Sequence, residues 1–576
     1  MDDAPLPSNA RQPRIGIDNA TVLFGCLLLY LLVVSCLPLA RLALEALRPG
    51  AHGEPFGVLI EQWAALATRR ALANTVEASL LASFVSIAIG GLVAIALTLT
   101  DLRMKSALAF LILLPLLIPS QITALAWIEL VGPSSPILQP LGLAPEPGTT
   151  NPLYSMGGIV LVMGVEHAAL VFLTLRGGLI RVPRDLVEAA RLGGARPLKV
   201  LVAVILPLAR PSLVAGGALS FVSAIGNFGV PALLGIPGRV PMLTTLIYQR
   251  LQGFGPRVLG EVAAIAIILA ILAAFALTAS RWFAREIKGG VEGTIAPTEP
   301  FALRFWRLPV EILLWGGLFV TSVLPLVALI VGSLVPAVGV RFGLDTLTLA
   351  NYRFALIEQD AVLRALRNSI GLAAVAAFIS AVVAVPIAYG VVLGRSRMAR
   401  LLETIGEAPY AIPGTVLAIA IILVFLPPLP FVGASLYGTI WILLVAYLAR
   451  FLALAIRPSI AGMALVERAV DEAGRLAGAG LIRRLVFIIA PLVAPSVVAG
   501  ALLIFMSALN ELTVSALLWS TGNETLGVEI FFLHYEGNTP AASAVATLAI
   551  AVTIALAGAV SLLGRNLPEG LVPWRA

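Results

Sequence analysis

Three histidines (His52, His167, His534), two cysteines (Cys26, Cys36) and 31 acidic residues are the groups in this chain that could serve as bases, nucleophiles or metal ligands. Their spacing builds no centre for such chemistry. The histidines lie more than a hundred residues from one another. No His-Glu-x-x-His run sets two imidazoles on one helix face around zinc, and no Gly-x-Ser-x-Gly elbow exposes a nucleophile. Lys105-Ser106 follows Met104 rather than a glycine-rich loop, so the backbone cradle that holds nucleotide phosphates is missing. Both cysteines fall in the first apolar run, with neither a disulfide framework nor metal-ligand spacing. The sequence argues against catalysis, and against a cofactor or metal held by this chain.

What stands out instead is polar residues inside apolar runs, where a charge costs several kcal/mol in lipid and marks either function or a dedicated partner. Glu166 and His167 lie about nine residues into one run, roughly 14 Å deep at the helical rise. Arg450 holds the equivalent place 284 residues on. An acid in one half and a base in the other could pair across the middle; alternatively, each is satisfied by neighbours in its own half. Asn227 and Glu511 also stand 284 apart. With Asn510 they either line an outer mouth or gate, or hold helices together. Glu77 and Gln121, the latter just after Pro119, are further candidates.

The elements that must position these residues are membrane spans. Of 576 residues, 59% are hydrophobic and 12% charged, about half the charge of a soluble domain; the mean hydropathy is +1.00. Apolar runs long enough to cross a bilayer lie near 21–44, 72–99, 107–131, 157–175, 201–234 and 258–280, then near 309–334, 369–394, 401–426, 437–456, 485–518 and 541–563. The expected organisation is a cytoplasmic tail over 1–20, a first half over 21–285, a linker over 286–308 and a second half over 309–576. With the N-terminus inside, 26 of the 38 Lys and Arg residues fall in cytoplasmic segments, which places both termini in the cytoplasm. The net charge of +7 is thus read as orientation in a lipid bilayer, not as nucleic-acid binding.

The chain also repeats itself. Asn74-Thr75, Pro115 and Pro119 recur as Asn368-Ser369, Pro409 and Pro413 at a shift of 294, and Glu188, Pro207, Pro211, Gly216 and Phe221 recur as Glu472, Pro491, Pro495, Gly500 and Phe505 at a shift of 284. Each half has an even number of spans, so the halves are expected to run parallel about a twofold axis along the membrane normal, with a pathway between them. Between the fourth and fifth spans of each half sits a polar, basic stretch, 184–199 and 468–484. The first contains Glu188-Ala189-Ala190, then Gly194, then Ile205-Leu206-Pro207; the second contains Glu472-Ala473-Gly474, then Gly478, then Ile489-Ala490-Pro491. Each reads as a short amphipathic helix ended by a glycine turn. Val187, Ala190 and Leu192, or Val470, Ala473 and Leu476, are expected to form an apolar ridge.

This pattern resembles the EAA loop of ABC importer permeases, with one loop per half and a likeness that covers nearly the whole chain. Gly474 and Ala490 depart from the usual alanine and leucine. The resemblance implies an all-α membrane protein of twelve transmembrane helices, built as two parallel six-helix repeats of the type I importer fold. It implies residence in the bacterial inner membrane, loops that dock two copies of an ABC ATP-binding subunit, ATP used by that partner alone, and cargo delivered by a periplasmic solute-binding protein. Pro409–Thr415 and Asn510–Trp519 are similar to iron(III)-type permeases, with thiamine, aminophosphonate and polyamine as alternative cargoes. A twelve-span secondary transporter is the rival class; it has no need of partner-docking loops.

Overall fold

A backbone in lipid must satisfy its own hydrogen bonds, and helices do so within one segment. A computed structural model describes residues 19–563, apart from 51–52, 254, 256, 286–300 and 431–432. Among these residues the regular structure is helical, with one isolated bridge between Thr100 and Phe301. The expected cytoplasmic tail lies outside the described residues up to 18, and the linker up to 300.

In the first half the helices are α1 (Ala20–Ala46), α2 (Leu66–Leu99), α3 (Lys105–Leu117), α4 (Ser120–Val131), α5 (Met156–Ile180), the elbow helix α6 (Arg184–Leu192), α7 (Pro197–Gly226), the short α8 (Leu243–Leu251) and α9 (Val258–Arg285). The second half runs through α10 (Arg304–Ser333), α11 (Asp360–Val392), α12 (Arg397–Ala411), α13 (Gly414–Phe425), α14 (Ile440–Met463), the elbow helix α15 (Arg468–Leu476), α16 (Leu481–Leu509), the short α17 (Leu526–Tyr535) and α18 (Thr539–Leu563). Ten described helices are long and apolar enough to cross a membrane. The runs at 107–131 and 401–426 are broken rather than straight: α3 and α4 meet at 105°, α12 and α13 at 110°. Counting each pair as one span gives twelve. The breaks have a local cause, because a residue before proline is driven out of the helical region; Ile118 (φ −100°, ψ 133°) and Ile412 (φ −97°, ψ 141°) are extended before Pro119 and Pro413. The runs 201–234 and 485–518 are likewise shorter as helices, since α7 ends at Gly226 and α16 at Leu509. The sequence reading missed α8 and α17, which are too short to span.

Proline also shapes the long helices. Four wide π-turns, Leu32–Cys36, Leu201–Ile205, Phe319–Val323 and Leu485–Ile489, each end two residues before a proline: Pro38, Pro207, Pro325 and Pro491. The ring lacks an N–H and crowds the carbonyl four residues back, so the preceding turn widens.

Contacts recur at equivalent places in the two halves. Thr75 accepts a hydrogen bond from the Leu243 N–H at the start of α8, and Ser369 accepts one from Leu526 at the start of α17. Asn74 donates to the Pro241 carbonyl, and Asn368 to that of Glu524. The first span of each half leans on the other half: α1 packs against α12 and α13, and α10 against α3 and α4. At the crossings of α5 with α7 and of α14 with α16, small residues let backbones touch. A Cβ on Gly216 would lie 3.0 Å from Val171 Cα, and one on Gly500 would lie 2.9 Å from the Leu454 carbonyl oxygen. Gly500→Val should therefore force α14 and α16 apart, cost about 1–3 kcal/mol and lower the thermal unfolding temperature in detergent. Gly317→Ala, at a position with nothing within 4 Å, should leave that temperature unchanged.

Candidate functional site: two elbows and a cavity between the halves

The elbows are built from the same local pieces. In α6 the Arg184 side chain donates to Glu188, one turn on. The helix closes with Gly193 N–H to Ala189 and Ala195 N–H to Ala190, around Gly194 at φ +77°. In α15 the closing bonds run from Ala477 to Ala473 and from Ala479 to Gly474, around Gly478 at φ +76°. A left-handed turn of this kind is open to glycine without the Cβ penalty. Ala189, Glu472 and Ala473 are exposed, and Glu188 and Ala190 half-buried. In α6 the expected apolar ridge does not form, while in α15 Val470 is half-buried and Ala473 and Leu476 are exposed. Val187 is fully buried, whereas Leu192 is 90% and Leu476 91% exposed. Residues five apart lie about 140° from each other around a helix, so Val187 and Leu192 cannot share a face. Each elbow thus grips its own half on one side and offers an almost fully exposed leucine on the other.

The two mounts use opposite chemistry at equivalent positions. Under α6, the buried Val187 and Val200 pack with Ala190 and Ile95. The mount is braced by Phe301, whose N–H donates to the Leu99 carbonyl at 2.7 Å and whose ring lies 4.3 Å from the Arg191 guanidinium. Beside it the Leu303 N–H donates to Asp101, a bond that holds this carboxyl below its usual range. Under α15, the positions of Ile95, Val187, Ala190 and Val200 are taken by Tyr389, Asp471, Gly474 and Arg484. Arg484 Nε donates to Asp471 at 2.9 Å and Nη1 to the Ala479 carbonyl at 2.9 Å. The Tyr389 hydroxyl donates to Asp471 and accepts from Arg475 and Arg484. Gly474 departs from alanine for room: a Cβ there would press on Arg484 Cδ and Ile488 Cδ1, each at 3.0 Å. Sequence reading missed Tyr389, Asp471 and Arg484, although aligning the halves shows all four positions changing together.

The intramembrane polar residues meet around a cavity of about 370 Å³ lined by both halves. The first half contributes Pro119, Ser120, Gln121 and Glu166; the second contributes Arg450, Ser507, Asn510, Glu511 and Thr513. Glu166 and Arg450 do not pair across it. Glu166 accepts from Ser120 at 2.5 Å and from Asn227 at 3.3 Å, while Arg450 faces Glu511 at 3.9 Å. Position 166 thus meets position 227, and position 450 meets position 511, with the charges redistributed. Arg450, counted on sequence with the cytoplasmic cluster, stands mid-helix in α14. His167 is buried; its Nε2 is 4.0 Å from Glu166, and its Nδ1 has no hydrogen-bond partner among the described residues. Asn510 donates to Thr553 and accepts on its carbonyl from Gln121, a bond between the halves. Glu77 is exposed and takes no part. Beyond the cavity, Tyr248 of α8 and Phe531 of α17 meet edge to face with centroids 5.9 Å apart. These short helices dock at the start of α2 and α11, and the elbows at their far ends, about 50 Å away along a helix of this length.

The family model described as the binding-protein-dependent transport system inner membrane component matches residues 70–289 and again 375–567. The chain belongs to this family. As a permease it is a multi-pass membrane protein. It is similar to the probable ABC transporter permease protein y4fN of Sinorhizobium fredii, 29% identical over 70% of this chain and 70% of the relative. It is also similar to the putative ferric transport system permease protein FbpB 1 of Haemophilus influenzae, 26% identical over 73% of this chain and 65% of the relative. A third relative is the putative 2-aminoethylphosphonate transport system permease protein PhnU of Salmonella typhimurium, 28% identical over 39% of this chain and 80% of the relative.

The permease's second mount should fail when half of it is removed. Arg484→Ala removes one of the two guanidinium groups that hold the buried Asp471, leaving Arg475 at 3.0 Å, and should cost about 1.5–3 kcal/mol, read as lost hydrogen-exchange protection over 468–484. The combined change Tyr389→Ile, Asp471→Val, Gly474→Ala and Arg484→Val, which copies the first mount, should restore most of that protection.

Proposed function

We propose that this permease is the membrane subunit of an ATP-driven importer, and that its elbows are the points at which a separate ATPase takes hold. The supporting observation is the pair of matched elbows, each ending in a glycine turn and each projecting one almost fully exposed leucine from the same end of the molecule. An exposed apolar side chain on a rigid mount is a typical anchor for a partner's pocket. In this reading two copies of the ATP-binding subunit, or one double subunit, bind 184–199 and 468–484 through Glu188, Ala189, Ala190, Gly194, Glu472, Ala473, Gly474 and Gly478. A periplasmic solute-binding protein delivers cargo at the opposite face. ATP-driven closure pulls the elbows together, and the two halves, copies of one unit, rock about the cavity between them. The elbow end and both termini face the cytoplasm, as the Lys and Arg distribution favours. Glu166, His167, Asn227, Arg450, Asn510 and Glu511 belong to the pathway.

For cargo we favour iron(III), on the likeness of Pro409–Thr415 and Asn510–Trp519 to iron(III)-type permeases and on the ferric relative named above. Aminophosphonate is the second reading, supported by the phosphonate relative.

The test is co-purification. The permease expressed with the ATPase and binding protein from its own gene neighbourhood should form a complex whose ATP hydrolysis rises when loaded binding protein is added. Leu192→Asp with Leu476→Asp should remove the ATPase and cut uptake more than tenfold while the permease remains monodisperse. Uptake driven by a proton gradient in the absence of ATP would instead favour a secondary transporter.

A further inference from the structure

Arg450 is a guanidinium with open donors. Among the described residues none of its N–H groups makes a hydrogen bond, and its contacts are Glu511 at 3.9 Å and the Phe451 ring at 5.9 Å. Glu511 is already committed elsewhere. Its carboxylate accepts from the Val514 N–H at 2.8 Å, the Ser515 N–H at 3.0 Å and the Ser515 hydroxyl at 2.8 Å. It caps the turn at 511–515 and offsets the charge of Arg450 without filling its donor sites. Arginine stays protonated in any protein environment, and this half-buried guanidinium lines the cavity with its donors free to take an anion. The surroundings keep it open: a side chain at Gly414 would collide with its guanidinium, and the equivalent residue in the first half is Ser120, which fills the corresponding space and bonds Glu166. The first half's side of the lining carries that Glu166, fixed by Ser120 and Asn227, in the same cavity of about 370 Å³. The volume is within the roughly 300–1,000 Å³ range of small-molecule pockets.

We propose that this cavity is an intramembrane way-station that holds an oxyanion on Arg450, with the positive part of the same cargo turned toward Glu166. The planar fork of the guanidinium matches phosphonate, phosphate or carboxylate oxygens in pairs. A bare cation is repelled by Arg450, whereas Glu166, which accepts two of the about four bonds a carboxylate can take, keeps acceptor sites for a positive group attached to a bound oxyanion. An aminoalkylphosphonate uses both walls directly. An iron(III) cargo uses them only as a complex that carries its own oxyanion. The inference rests on the importer reading and narrows its cargo class.

The experiment uses the full permease with its ATPase in lipid nanodiscs, and equilibrium dialysis against labelled orthophosphate and labelled 2-aminoethylphosphonate. Wild type should retain both. Arg450→Gln should weaken both at least tenfold, and Arg450→Lys, which keeps the charge and loses the fork, by a smaller factor. Glu166→Gln should weaken 2-aminoethylphosphonate severalfold and leave orthophosphate unchanged. Equal retention by wild type and the Arg450 variants would overturn the proposal. So would failure of wild type to retain either probe while its ATPase still responds to loaded binding protein, and in that case the importer reading stands. A wild-type complex whose ATPase ignores the binding protein would overturn the importer reading itself.

Discussion

A proline in an apolar helix either widens the turn before it or stops the helix; at Pro119 and Pro413 it stops the helix, because the preceding isoleucine is held extended and the ring offers no N–H. The breaks at Ile118-Pro119 and Ile412-Pro413 turn the chain by 105° and 110°, and the middle of the molecule is arranged around them. The turns bring Ser120 and Gly414 to helix starts beside Glu166 and Arg450. They also set Gln121 where it bonds the Asn510 carbonyl of the other half. A straight span would have carried these residues along its own axis, away from Glu166 and Arg450. The cavity between the halves is therefore a consequence of two prolines, and the polar residues around it are what makes broken backbone tolerable at that depth.

Around this shared frame the two halves have diverged by exchanging whole contact sets. At the cavity, an acid held by serine and asparagine in one half corresponds to an arginine facing an acid in the other. Under the elbows, an isoleucine–valine–alanine–valine set corresponds to tyrosine, aspartate, glycine and arginine. The exchange has to be collective. Arg484 without Asp471 is an unpaired buried charge, and Arg484 with alanine at 474 is overcrowded. The elbows that result share an outer shape and differ in what holds them. One rests on dispersion contacts and the other on directional, charge-assisted bonds, so the same outer shape is held by two different kinds of contact.

The spans, the duplication and the positions of the elbows were legible in the sequence because each rests on a local pattern: long apolar runs, recurring proline and asparagine, and glycine six residues after a glutamate. The apolar ridge of the first elbow was misread because helix phase alone cannot say which side meets the core, and burying Val187 required Val200 and Ile95 from other segments. The pairing of Glu166 with Arg450 looked attractive from equal depth. Depth does not fix direction around a helix, and each side chain was already engaged by a neighbour one break or one span away in its own half.

What the sequence determined by itself was the solvent this chain lives in, since composition and run length decide that without reference to contacts. It also determined where helices end, through proline and glycine acting on their own backbone. Only the tertiary structure decided which polar groups meet: that Glu511 caps a turn rather than saturating Arg450, that Tyr389 joins Asp471 from 82 residues away, and that Leu192 and Leu476 stand clear of the protein. These depend on how helices rotate about their own axes when packed, and that rotation is set by the sum of many contacts between distant segments, not by any one of them.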